Sequence, residues 1–224
     1  MRFIFEQVRV GGDRNFGYLL GDREAGEGIL VDPSFDPEGL VARARAQGLR
    51  VTAILNTHGH SDHSNGNAAA QALTGAPVAG GAGHPGTLDR VLEDGARVGF
   101  GAFAVRTWRV PGHCPEHLAF LTEPLPGMGA EPRAGLTGDL LFVGKVGGTG
   151  NDADARLEWE SLQRLVREWP SHTTLWPGHD YGARPSSTLA WELASNPFLR
   201  CPDLAAFIRL KAEWPSFKAR HGLR

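Results

Sequence analysis

The chain has 224 residues, 41% of them hydrophobic and 21% charged, with a net charge of −2 and a pI near 6.5. That length can bury a sizeable core without a disulfide or metal staple, and the composition is that of a globular protein. The near-neutral balance, with no basic block, argues against electrostatic capture of nucleic acid, and no run approaches the ~18 apolar residues of a membrane span.

In chain order, Phe3, Phe5, Val8 and Val10 predict a strand, residues 11–15 a turn, Phe16–Leu20 a second strand and Gly28–Val31 a third, closed by Asp32-Pro33. Pro37–Gln47 has helical character and stops at Gly48. Val51–Leu55 is a strand-length apolar run that leads into the polar segment Asn56–Asn67, and Ala68–Leu73 reads as a short helix ended by Gly75. Further on, Ala102–Val110, His117–Thr122 and Leu136–Val143 predict strands, and Glu123–Pro132 a loop insertion within the domain. Asp154 is the expected cap of a helix through Trp169, with Leu162, Leu165, Val166 and Trp169 on one face. Thr173–Trp176 is one more strand, and from Pro185 the pattern is helical, with Leu204, Phe207, Ile208 and Leu210 as its apolar stripe. Strands clustered between helices in both halves predict a layered α/β domain whose polar clusters fall at strand ends.

Histidine is the informative excess, with nine in the chain. The densest cluster is Thr57-His58-Gly59-His60-Ser61-Asp62-His63. Three imidazoles and a carboxylate in six residues are poor packing material, since each polar group buried without a partner costs about 1–3 kcal/mol. They are natural ligands for Zn²⁺, Fe²⁺ or Mn²⁺. A loop leaving a strand turns alternate side chains inward, so His58 and His60 can face one ion while Asp62 and His63 face a neighbour. His113, Asp139 and His179 each follow a glycine at the end of an apolar run, where glycine permits the turn that aims the next side chain across the sheet.

The order His-x-His-x-Asp-His, Gly-His, Gly-Asp, Gly-His over Phe3–Tyr181 resembles the metallo-β-lactamase fold superfamily, in its glyoxalase II and persulfide dioxygenase branch. The resemblance implies a four-layer αββα sandwich with metal at one edge between the sheets. It implies residues 1–184 as the metal-hydrolase domain and 185–224 as a helical extension packed on it. Carried over residue by residue, His58, His60 and His113 hold one ion, Asp62, His63 and His179 the second, and Asp139 bridges. Asp32 resembles the family's buried acid that orients a histidine. The families show Gly-Cys-Gly-Arg or Gly-Cys-Gly-Lys downstream of the bridging acid, where the base contacts glutathione. Here Gly148 stands at that base's position and Lys145 three residues earlier, while Tyr181 is retained.

The reading that follows is a cytoplasmic thioester hydrolase with two divalent ions, zinc first and iron or manganese as alternatives. Its nucleophile is a hydroxide held between them, and Asp139 and Asp62 are the catalytic acids. Lys145 and Tyr181 are candidates for holding a substrate carboxylate or carrier. The alternative is a persulfide dioxygenase with a single Fe²⁺ on His58, His113 and Asp139. A non-catalytic metal module is the third class, and no member of the ligand set is missing to favour it. No nucleic-acid or membrane partner is expected. His117 is expected to support the His113 loop by hydrogen bonding, and His84, His172 and His221 to lie on the surface. Cys114 lacks a free base to activate it. Arg209, Lys211, Lys218 and Arg220 form a basic stretch that reads as a solvated helix face, with an anion-binding role as the alternative. Two cysteines make no disulfide framework, and Met1–Phe16 carries no secretory pattern. No nucleophile elbow, phosphate loop or dinucleotide fingerprint is present.

Overall fold

Side-chain alternation along the strands gives two packed sheets, each with one face toward the other and one face toward helices. The computed structural model describes residues 2–124 and 134–221. In chain order the elements are β1 (Phe3–Gly11), β2 (Asn15–Asp22), β3 (Glu27–Val31), α1 (Pro37–Ala46), β4 (Arg50–Leu55), α2 (Ser61–Ser64), α3 (Asn67–Thr74), β5 (Val78–Gly80), β6 (Arg90–Val91) and β7 (Arg97–Phe100). There follow β8 (Phe103–Arg109), β9 (Leu118–Pro124), β10 (Ala134–Gly138), β11 (Leu141–Phe142), β12 (Lys145–Val146), α4 (Asp152–Glu168), β13 (Thr174–Pro177), β14 (Ser187–Thr188), α5 (Leu189–Ser195) and α6 (Leu204–His221). One sheet runs β1 to β6 in sequential order, and the other runs β14-β13-β10-β9-β8-β7. β11 and β12 form a separate small hairpin.

Phe16, Tyr18 and Leu20 of β2 point between the sheets with Ile29, Val31 and Leu55, meeting Phe100, Phe103, Val105, Phe120 and Leu136 of the second sheet. Leu19, Leu30 and Ile54 point the other way, under Leu40, Val41 and Ala44 of α1 and Ala70 of α3. On the far side Trp108, Leu121 and Leu175 are covered by Leu162 and Leu165 of α4, Leu189 of α5 and Phe207 of α6. This is the four-layer αββα arrangement. Each fully buried Leu, Ile or Phe contributes about 1.5–3 kcal/mol, and both faces of β2 are covered, so its apolar run is continuous.

Parallel pairing sets the position of the site. β3 pairs parallel with β4, and β10 with β13. The C-terminal ends of these four strands therefore lie at one rim, where Asp32, Thr57-His58, Asp139 and Gly178-His179 leave them. Gly138 ends β10 at φ +50°, a left-handed conformation that favours glycine.

Three expectations are corrected. Leu136–Val143 is not one strand, because the turn at Gly138 ends β10 and Leu141-Phe142 pairs with Lys145-Val146 instead. The cap of α4 is Asn151, not Asp154: its side chain accepts from the N–H groups of Ala153 and Asp154. Lys211 is not on a solvated face but pairs with Glu158, whose side chain is fully buried. β5, β6 and β7 are short strands that carry too little periodicity to be read from sequence. Most of the Glu123–Pro132 insertion lies outside the described residues, Glu123 and Pro124 belonging to β9. The side chain of His221 also lies outside them. His172 is exposed, whereas His84 is partly buried with Nε2 enclosed. Among the described residues no helix is long and apolar enough to cross a membrane.

Candidate metal centre

Six of the predicted side chains converge as two triplets of donor atoms, His58 with His60 and His113, and Asp62 with His63 and His179. In the first, His60 Nδ1 lies 3.0 Å from both His58 Nε2 and His113 Nε2. In the second, His63 Nε2 and His179 Nε2 are 3.1 Å apart, and Asp62 Oδ2 is 3.6 and 3.4 Å from them. Asp139 stands between the triplets, 3.3 Å from His179, 3.5 Å from His63 and 3.7 Å from His113.

The outward ring nitrogens of three of these histidines face acceptors. His113 Nδ1 faces the Gly148 carbonyl at 2.8 Å and His179 Nδ1 faces the Asp13 carbonyl at 2.9 Å. A carbonyl oxygen only accepts, so each Nδ1 carries a proton, and in the neutral ring each Nε2 then presents a lone pair. Asp32, 1% exposed, does the same for His63, whose Nδ1 donates to Oδ2 at 3.1 Å. It also acts through Thr57, whose hydroxyl donates to Asp32 Oδ2 at 2.6 Å and lies 3.1 Å from His58 Nδ1. One carboxylate thus orients two imidazoles.

Ring nitrogens brought within 3.0–3.1 Å of one another from three separate segments form a set of donor atoms that a cation can share. Asp139 points the same way: it is buried, yet its Oδ1 has no hydrogen-bond partner. Burial opposes its charge, but the His179 hydrogen bond and the facing His63 hold its carboxyl well below the usual range. For His63, burial opposes protonation and is outweighed by the Asp32 hydrogen bond and the charges of Asp139, Asp32 and Asp62, so its pKa rises to about 9. Burial pushes His58 and His113 down. A cluster of five histidines and two acids in this arrangement fits divalent cations of the Zn²⁺, Fe²⁺ or Mn²⁺ type.

His117 does not reach His113 by a side-chain bond. Its Nε2 accepts from the Asp139 N–H at 3.1 Å, its ring stacks on His58, and burial drives its pKa to about 3. Cys114 is buried and its thiol is pushed up by burial and by Glu116, an inert setting.

Lys145 and Tyr181 are brought together at the rim. Lys145 Nζ lies 3.9 Å from the Tyr181 ring centre, and that ring stacks on His179. Burial, aided by Lys218, lowers Lys145 to about 8. A cavity of about 430 Å³ adjoins them, lined by Lys145, Gly148, Asn151, Lys211, Trp214 and Lys218 among others.

Sequence reasoning placed the turn at residues 11–15 but missed its part in the site. Asn15 Nδ2 donates to Asp62 Oδ2 at 2.9 Å, Asp13 Oδ2 accepts from the Tyr181 hydroxyl at 2.6 Å, and the Arg14 guanidinium sits 4.8 Å from the Tyr181 ring centre. The available signal was Asn15 itself, a polar residue opening an otherwise apolar strand.

The model of the metallo-beta-lactamase superfamily matches residues 10–135, more than half of the chain. A hydroxyacylglutathione hydrolase of Anaeromyxobacter dehalogenans is 37% identical over 244 residues, covering 92% of this chain and 89% of the relative. The human persulfide dioxygenase ETHE1 is 31% identical over 202 residues, covering 89% and 75%. The crystal structure of ETHE1 from Myxococcus xanthus superposes with a TM-score of 0.82 at 26% identity, covering 94% of this chain and 91% of that one.

Proposed function

The chain belongs to the metallo-beta-lactamase superfamily, and from that membership we propose that it is a metal-dependent hydrolase of thioesters, of the hydroxyacylglutathione hydrolase type. The observation that supports it most is the pair of donor triplets flanking one buried carboxylate. In this reading His58, His60 and His113 hold one ion, Asp62, His63 and His179 hold the second, and Asp139 bridges. Such ions, when bound, polarise an acyl oxygen and lower the pKa of water from about 15.7 to near 7. Zinc is the first candidate, with iron or manganese as alternatives.

The chain's own groups supply orientation and proton handling. Asp139, ionised although buried, accepts from the attacking water and fixes its direction. Water oxygen bonds to the acyl carbon, the C–S bond breaks, and the departing sulfur takes up the proton that the water gave. Asp62, 36% exposed in its side chain and held by Asn15, lies at the solvent edge where that proton can pass. The Lys145 ammonium has no carboxylate within salt-bridge distance among the described residues, so its charge is available to a carboxylate of the substrate or its carrier. The face of the Tyr181 ring lies under that ammonium, its centre 3.9 Å from Nζ.

A second reading is favoured by the human persulfide dioxygenase relative: one iron on His58, His113 and Asp139, with a thiol persulfide and O₂ as substrates. Metal analysis of protein purified without added metal separates the two, paired with assays on an acyl-glutathione thioester and on glutathione persulfide. Two equivalents of metal and thioester turnover are expected, with His58→Ala and Asp139→Ala losing metal while remaining folded. One iron per chain with oxygen uptake on the persulfide overturns the hydrolase reading, and unchanged metal content in Asp139→Ala overturns the bridge.

A further inference from the structure

The C-terminal helix reaches the metal centre through backbone rather than by a ligand. Lys211 of α6 is 11% exposed and Glu158 of α4 is 0% exposed, and the two form an ion pair. The same ammonium donates to the Gly147 carbonyl at 2.7 Å. Gly147 is wedged against Asp139: a Cβ placed on it would come within 1.9 Å of the Asp139 carbonyl oxygen. The next carbonyl along, that of Gly148, accepts from His113 Nδ1.

The other side of His113 rests on α4. Gly112, at φ +140°, packs so closely on Glu158 that an added Cβ would lie 2.4 Å from its Cα. Ser161 Oγ donates to the Pro111 carbonyl at 2.7 Å. The ring of His113 and the turn that carries it are therefore both fastened to the Lys211–Glu158 pair. An ion pair serving stability alone needs no third partner; here the third partner is the peptide strip that fixes the His113 tautomer.

We propose that Lys211, seated by Glu158, is a positioning residue for His113, holding the Gly147-Gly148 strip so that Nδ1 stays protonated and Nε2 stays aimed at His58 and His60. The proposal rests on His113 being a metal ligand. It gives α6 a role in metal affinity, separate from any contact with substrate. Partners that orient a ligand histidine typically alter metal affinity 10–100-fold, and Lys211 acts one link further out, so the expected loss is about tenfold.

The test uses the full chain, with zinc affinity measured by competition with a chromophoric chelator and the His113 tautomer read by ¹⁵N imidazole shifts in the metal-free protein. Lys211→Met leaves Glu158 buried without its counter-charge, which endangers folding. The double variant Glu158→Leu with Lys211→Met removes both charges, a replacement that cores often accept without loss, yet it still lacks the bond to Gly147. Both variants are expected to bind zinc about tenfold more weakly and to populate the Nε2-protonated form of His113. Arg209→Gln, an exposed change on the same helix, is expected to match the wild type in both readouts. A folded double variant with wild-type zinc affinity and a wild-type tautomer overturns the positioning role, while weakened binding in His113→Ala leaves the ligand assignment standing. If His113→Ala itself keeps wild-type affinity, the ligand assignment fails and the positioning role falls with it.

Discussion

Replacing Asp32 with asparagine tests whether one buried carboxylate sets the direction of two imidazoles. Asp32 Oδ1 accepts from the Thr57 N–H at 2.8 Å, and Oδ2 accepts from Thr57 Oγ1 at 2.6 Å and His63 Nδ1 at 3.1 Å. Asparagine keeps the shape and tolerates the left-handed backbone at φ +48°, so backbone strain does not confuse the result. It turns one acceptor oxygen into a donor, which then faces other donors. If the amide lies toward Oδ2, two hydrogen bonds to a charged acceptor are lost, at about 1.5–3 kcal/mol each. The combined loss is about 3–6 kcal/mol, shared between folding and the orientation of His58 and His63. Denaturant unfolding of the metal-free chain should show the first part, and a zinc affinity 10–100-fold weaker the second. A folded Asp32→Asn protein with wild-type zinc affinity would refute the idea that Asp32 orients the histidines.

The carrier pocket yields a paired comparison: Gly148 has open space around an added Cβ, so Gly148→Arg should lower KM for an acyl-glutathione thioester by one to two powers of ten, from about 1.5–3 kcal/mol of new charge-assisted bonding. Lys145→Ala should raise that KM, and a low wild-type KM indifferent to both changes would place the carrier elsewhere. Because burial lowers Lys145 to about 8, its ammonium is present below that pH and lost above it. KM for an anionic substrate should therefore rise between pH 7 and 9 in the wild type and stay flat in Lys145→Ala; equal profiles would exclude Lys145 from recognition. Cys114, buried with its thiol pushed up, should resist alkylation in the native chain, and Cys114→Ala should retain turnover; rapid labelling with loss of activity would contradict this.

Local chemistry was legible and distant pairing was not. The run from Thr57 to His63 announced its ligands because their spacing is a property of one loop, and Gly75 and Gly48 announced helix ends because left-handed φ values of +68° and +71° are a local demand. The helix cap was misplaced by three residues because Asn151 and Asp154 are both competent acceptors, and only the backbone direction, φ −159° at Asn151, chooses between them.

The sequence by itself determined the ligand types, their order along the chain, and the apolar runs that make two sheets and their covering helices. Tertiary structure decided which nitrogen of each histidine faces inward. That depends on a carbonyl from Asp13 reaching His179, one from Gly148 reaching His113, and the Asp32 carboxylate reaching His63. It also took Lys211 out of solvent and set it against Glu158 and Gly147. These contacts join residues far apart in the chain, and a hydrogen bond is fixed by the positions of both partners. No reading of either segment alone contains the other's position until the two sheets have packed.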